Sequence, residues 1–298
     1  MTLHVIDVHP HIITTDTATY PRAPLHGTQS TWSQERPTTT EQLLAAMDDA
    51  GVARAAIVQA STCYGFDNAY VADAVAAHPD RFTGVFSVDV MAPDAPERIR
   101  HWVDRKLTGL RLFTAGSTIT GQAPGLGDPA SFAAWDCAAD LNLPVCVQMR
   151  VAGLPQLKVL LDRYPDLPII IDHLLNIPLD DGPPYHEAEA LYGLSAYPNI
   201  YLKLTPVILK KAREGKATPE SFFKQVFAEF GAPRIAWGSN FPASPGSLKD
   251  LLQDTQAALA WASAGDQDWV FRKTAEMLYP ALQADPASAT PDDNKEFA

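Results

Sequence analysis

The chain has 298 residues, 46% hydrophobic and 19% charged, and its 35 acidic against 23 basic side chains give a net charge of −12. This is the composition of a globular protein with a large core, and it excludes a disordered chain. The acidic balance argues against a nucleic-acid or anionic-membrane surface, which needs clustered Lys and Arg, and no apolar run reaches the length of a membrane span.

The three cysteines, Cys63, Cys137 and Cys146, lack C-x-x-C spacing and read as small buried residues of a reducing compartment. The first residues run straight into an apolar stretch carrying His and Asp, which reads as the absence of a signal peptide. A cytoplasmic protein is the expectation.

Taken in chain order, β-branched apolar runs fall at Leu3–Val8, Ala53–Gln59, Phe82–Val88, Gly109–Phe113, Val145–Met149, Ile169–Asp172, Ile200–Leu204 and Ile235–Gly238. Segments of helical period separate them: Thr40–Ala50, Ala69–His78, Pro96–Arg105, Phe132–Leu141, Leu154–Tyr164, Glu187–Ala196 and Glu220–Phe230. Thr39 or Thr40, and Ser247, stand where helix N-caps belong. A helix between successive strands implies parallel pairing through right-handed crossovers. Eight such units predict a single (β/α)8 TIM-type barrel over residues 1–281, with a flexible tail over 282–298. Long segments follow several strands, at Ile12–Thr38, Thr114–Asp128, Leu174–His186 and Thr205–Thr218, and predict long βα loops over the C-terminal mouth. The Gly121–Gly127 run lacks the Lys-Ser/Thr of a phosphate loop and reads as a mobile lid.

In a closed barrel, polar residues at strand ends converge on one mouth. His9 and His11 stand at i and i+2 on the first strand, so both point to one side. Imidazoles so placed serve as metal ligands or proton shuttles, unless they are ordinary polar residues of a turn. The second strand runs into Gln59-Ala60-Ser61, the fourth carries Arg111, and the fifth carries Gln148 with Arg150 beyond it. Asp172-His173 ends the sixth, Lys203 and Thr205 the seventh, and Ser239-Asn240 follows the eighth. A buried Arg111 needs an internal acid such as Asp89 or a substrate carboxylate. Lys203 poses the same question and leans toward a structural ion pair, while Arg150 is also compatible with a solvated side chain.

Asp7-x-His9-x-His11, Gly109-Leu110-Arg111, Ile171-Asp172-His173, Tyr201-Leu202-Lys203-Leu204 and Trp237-Gly238-Ser239-Asn240-Phe241-Pro242 occur in this order at strand ends. This set resembles the amidohydrolase superfamily, in the branch called amidohydrolase 2. Gln59-Ala60-Ser61 with Tyr64-Gly65-Phe66-Asp67-Asn68 resembles its 2-pyrone-4,6-dicarboxylate hydrolase (lactonase) group. The resemblance implies hydrolysis of a lactone or related cyclic ester bearing carboxylates, hence an anionic small-molecule substrate. It leaves a homo-oligomer open.

Against the family's metal sites, Arg111 and Gln148 stand where a bridging acid and a further histidine are expected. The resemblance therefore favours a site without metal, with His9, His11 and His173 as a cage around the carbonyl; a single Zn²⁺ on those three is the alternative. Asn240 occupies the position of the family's general-base Asp, and an amide cannot take that role. In the mechanism this implies, Arg111 with Arg150 or Lys203 anchors a carboxylate, Ser61, Tyr64 and Gln148 bind substrate, and a histidine activates water. A metal-dependent decarboxylase or a silent ligand-binding homologue are the competing readings.

Overall fold

A computed structural model describes residues 4–113 and 126–283. Its eight parallel strands follow one another in sequence order: β1 Val5–Asp7, β2 Val52–Val58, β3 Phe82–Phe86, β4 Gly109–Phe113, β5 Val145–Gln148, β6 Ile169–Asp172, β7 Ile200–Leu204 and β8 Ile235–Trp237. The seam between β8 and β1 is bridged by Val8 N–H donating to the Trp237 carbonyl at 3.1 Å. Asp7 reinforces it by accepting from Ser239 N–H at 2.8 Å. Gly238 is required at that seam, because a Cβ there would lie 2.5 Å from Cβ of His9. The architecture is the expected (β/α)8 barrel.

Two apolar layers hold it. One lies between the strands and the surrounding helices. The other fills the lumen with Ile6, Val8, Ala56, Val58, Val85, Cys146, Ile170 and Ala236, closed from below by Ala275, Leu278, Tyr279 and Leu282. The C-terminal segment thus plugs the barrel on the side away from the strand C-termini. Leu282 is fully buried in that plug, which corrects its assignment to the loose tail. Residues 284–298 lie outside the described residues, as do 121–125 of the expected lid.

Thr39 caps the helix Thr40–Ala50 in a capping box with Gln42, and Ser247 caps Leu248–Ala258. The single helix expected over Glu187–Ala196 is instead one α-turn, Glu189–Tyr192, between two 3-10 turns. Gly193, a weak former of helix interiors, stands at that break. Pro206–Lys211 adds a short helix over the mouth, within the segment expected to be loop. Among the described residues, no helix is long and apolar enough to cross a membrane.

Candidate active site

At the C-terminal ends of the strands lies a cavity of about 240 Å³. His11, Ser61, Arg111, Gln148, His173 and Asn240 line it, so six side chains singled out from the sequence meet around one cavity. Trp32, from the long segment after β1, tilts over the His11 ring at 5.2 Å between centroids. Trp32, Phe113, Val207 and Asn176 also line the cavity and were not singled out. Only Trp32 had a signal, as an aromatic in a long loop over the mouth.

Beneath the floor sits a buried ionic layer. Asp172 and Lys203 are register neighbours on β6 and β7, so their side chains share the lumen face, and Lys203 Nζ lies 2.9 Å from Asp172 Oδ1. Arg111 reaches from β4 to donate through Nε to Asp172 Oδ2 at 2.9 Å. Its other arm donates to Gln148 Oε1, and its plane lies over Phe113 at 4.2 Å. The internal acid that Arg111 needs is therefore Asp172. Asp89 is exposed and instead accepts from Met91 N–H. Burial works to raise the Asp172 pKa, but the charges of Lys203 and Arg111 outweigh it and hold the carboxyl well below its usual range.

His9 is fully buried under His11 and His173, 5.0 Å from each between ring centroids. Burial, then the charge of Lys203, drives its pKa well below the ordinary imidazole value. Burial and Arg111 push His11 down to about 3. Burial pushes His173 down to about 4, against the opposing pull of Asp172. All three rings are neutral near pH 7, so they form a hydrogen-bonding group rather than a cationic one.

Two of the rings are oriented by their second nitrogens. His11 Nδ1 lies 2.7 Å from the Val58 carbonyl, which can only accept, so Nδ1 carries the hydrogen and Nε2 keeps a lone pair. His173 Nδ1 lies 2.7 Å from Thr205 Oγ1, a hydroxyl able to donate or accept. His173, Leu174, Leu175 and Asn176 all have positive φ, between 49° and 59°. Such a left-handed turn of L-residues costs about 1–2 kcal/mol per residue, and strain of this kind concentrates at functional sites. Leu174 and Leu175 drive into the core and hold the turn down. Asn240 is also left-handed, with φ 52°. Its Nδ2 donates to Ser244 Oγ at 3.0 Å, which leaves Oδ1 as the free acceptor among the described residues.

Other expected site residues lie elsewhere. Lys203 is fully buried in the ionic layer below the cavity. Tyr64 stands off the lining, its hydroxyl accepting from Thr14 N–H and from Arg22. Arg150 is exposed and off the cavity wall.

His9, Asp172 and His173 bring one donor atom each within 4.8 Å of one another, a set of the kind that binds a divalent ion. Both ring nitrogens of His9 are buried without a hydrogen-bond partner among the described residues, as unsatisfied ligand atoms would be. The set fits one ion. It departs from the expected trio, because Asp172 takes the place of His11.

The family signature described as "Amidohydrolase" matches residues 6–281. An L-fucono-1,5-lactonase of Burkholderia ambifaria is 31% identical over 230 residues, covering 76% of this chain and 75% of that protein. The barrel superposes on a putative 2-pyrone-4,6-dicarboxylic acid hydrolase from Pseudomonas putida with a TM-score of 0.76 at 21% identity, covering 95% of this chain and 100% of that one. An amidohydrolase from Burkholderia multivorans with bound zinc gives a TM-score of 0.71 at 20% identity, covering 93% and 99%. At these identities the two structures speak for the fold alone, whereas the signature spans nearly the whole barrel: the chain belongs to the amidohydrolase family.

Proposed function

We propose that this protein hydrolyses a neutral, hydroxylated lactone of the sugar-acid type. The observation that carries this reading is the commitment of Arg111: it is the only Lys or Arg on the described cavity wall, and its guanidinium already donates to Asp172 at 2.9 Å and to Gln148. A dicarboxylate would need cations that are free to receive it, and Arg150 and Lys203 do not line the cavity. This reading departs from the carboxylate-bearing substrate expected from the sequence. Support comes from Trp32, which offers an aromatic face to a sugar ring, and from the 31%-identical relative named as a sugar lactonase.

In this reading His11 accepts a proton from water through Nε2, the lone pair that the Val58 carbonyl leaves facing the cavity. Its low pKa keeps it unprotonated throughout the useful range, the developing oxyanion raises its proton affinity as the step proceeds, and the ring returns that proton to the leaving ring oxygen as the acyl C–O bond breaks. Asn240 Oδ1 accepts the water's other hydrogen, and Ser244 fixes which end of the amide faces inward. With Thr205 donating to Nδ1, His173 presents Nε2–H to the carbonyl oxygen and stabilises its charge. Ser61 adds a hydroxyl on the same wall, held by Ser87 at 3.0 Å. The residues that would hold a divalent ion are His9, Asp172 and His173; Lewis-acid polarisation of the carbonyl would then take the place of the His173 Nε2–H, since a ligating ring nitrogen needs its lone pair.

Turnover of an aldono-1,5-lactone in heavy-oxygen water tests the scheme. The label is expected in the new carboxylate. Label on the ring-opened hydroxyl instead, or no turnover of any hydroxylated lactone, overturns it.

A further inference from the structure

The left-handed turn after β6 displays two side chains, and the reaction as described uses only one of them. His173 and Asn176, at its two ends, both line the cavity. Between them Leu174 and Leu175 are buried, and Lys211 clamps the end by donating to the backbone carbonyls of Asn176 at 2.7 Å and Ile177 at 3.3 Å. The turn is thus held through its backbone and its leucines. The Asn176 side chain takes no part in holding it: Oδ1 is buried without a hydrogen-bond partner among the described residues.

An unpartnered amide beside a substrate cavity is costly unless something completes it. Asn tolerates a left-handed backbone, which explains the residue's φ but not the unused amide. None of the polar side chains that line the cavity with it completes Oδ1.

We propose that Asn176 is a specificity-determining residue, its side-chain amide hydrogen-bonding one ring hydroxyl of the bound lactone. A hydroxyl both donates and accepts, as the amide does, so the pair is matched whichever end of the amide faces inward. The soft χ2 torsion lets Oδ1 swing from its buried position toward the cavity. The substrate class rests on the lactonase reading above; the assignment of Asn176 rests on the turn and the unpartnered amide.

The test is calorimetric binding of a hydroxylated δ-lactam, a slow-reacting mimic, and of each of its single-deoxy analogues. The native protein is compared with Asn176→Gly, which keeps the left-handed backbone and deletes the amide, and with the near-isosteric Asn176→Asp. The full lactam is expected to bind Asn176→Gly about tenfold more weakly than native, with a smaller loss for Asn176→Asp. One deoxy lactam is expected to bind all three proteins alike, because it lacks the matching hydroxyl. Uniform weakening across the set, no weakening, or failure of the native protein to bind any lactam overturns the assignment. Lactone turnover by the native protein is followed in parallel. Turnover without a hydroxyl-specific difference in binding overturns Asn176 alone, whereas hydroxyl-specific binding without turnover upholds Asn176 and overturns the lactonase reading.

Discussion

His11 and Asn240 divide the handling of water in the proposed reaction, and the division rests on one hydrogen bond each. The Val58 carbonyl decides that His11 shows a lone pair to the cavity. Ser244 decides that Asn240 shows an oxygen. If His11 is the base, a carboxylate at position 240 is redundant. Asn240→Asp should then keep kcat/KM within about threefold of native, while Asn240→Ala should lose about tenfold with the water-orienting bond. Steady-state kinetics on one lactone reads both. A hundredfold gain for Asn240→Asp would show that the native site lacks its base and that His11 does not serve as one.

At the scale of elements, β4, β6 and β7 are tied by Arg111, Asp172 and Lys203, all nearly or fully buried. Removing the shared acid leaves two buried cations unpaired. Asp172→Asn should therefore destabilise the fold by about 3–5 kcal/mol, read as a fall in the urea midpoint. The half-exposed pair Arg213–Asp254 gives the contrast: Asp254→Asn should cost less than about 1 kcal/mol. Equal shifts for the two would mean that the layer carries no special weight.

Much of this element-scale order was legible in the sequence. The strands β4, β6 and β7 fall on the residues expected for them, and in β6 the signal is a continuous β-branched run, Ile169-Ile170-Ile171, as a strand covered on both faces carries. The convergence of His9, His11, His173 and Asn240 followed from the topology, since barrel strand ends must meet. What stayed hidden depends on geometry across the lumen. Arg111 and Asp172 are 61 residues apart and pair only once the barrel closes. The left-handed turn at His173–Asn176 carries no glycine to announce it. The broken helix after Glu187 keeps its apolar spacing although its backbone tightens into 3-10 turns.

At the scale of the whole molecule, the neutral imidazoles couple folding to pH. His11 and His173 hold pKa values of about 3 and about 4 in the fold, against 6.5 when free. Below pH 6.5 the unfolded chain therefore binds protons that the folded chain refuses, and stability falls as pH drops toward 4. Asp7 opposes this: burial raises it to about 6 from 3.8, so between those values the folded chain holds a proton the unfolded chain has released. Two strongly depressed histidines outweigh one raised acid, and His9 acts in the same direction as the other two. The melting temperature should fall from pH 7 to pH 5, and His173→Asn should flatten the slope. A melting temperature that rises over that range would contradict the neutral-imidazole site.

The chain's net charge of −12 acts in the same sense as the engaged guanidinium of Arg111, since an acidic surface repels a dianion at long range and leaves a neutral sugar lactone unaffected. The central claim is this preference for a neutral hydroxylated lactone. It is tested most directly by kcat/KM for a neutral 1,5-lactone of a deoxyhexonic acid and for 2-pyrone-4,6-dicarboxylate, measured side by side at one ionic strength. The account predicts a preference of about a hundredfold or more for the sugar lactone. Equal values, or a preference for the dicarboxylate, would contradict it and return Arg111 to the role of a carboxylate anchor.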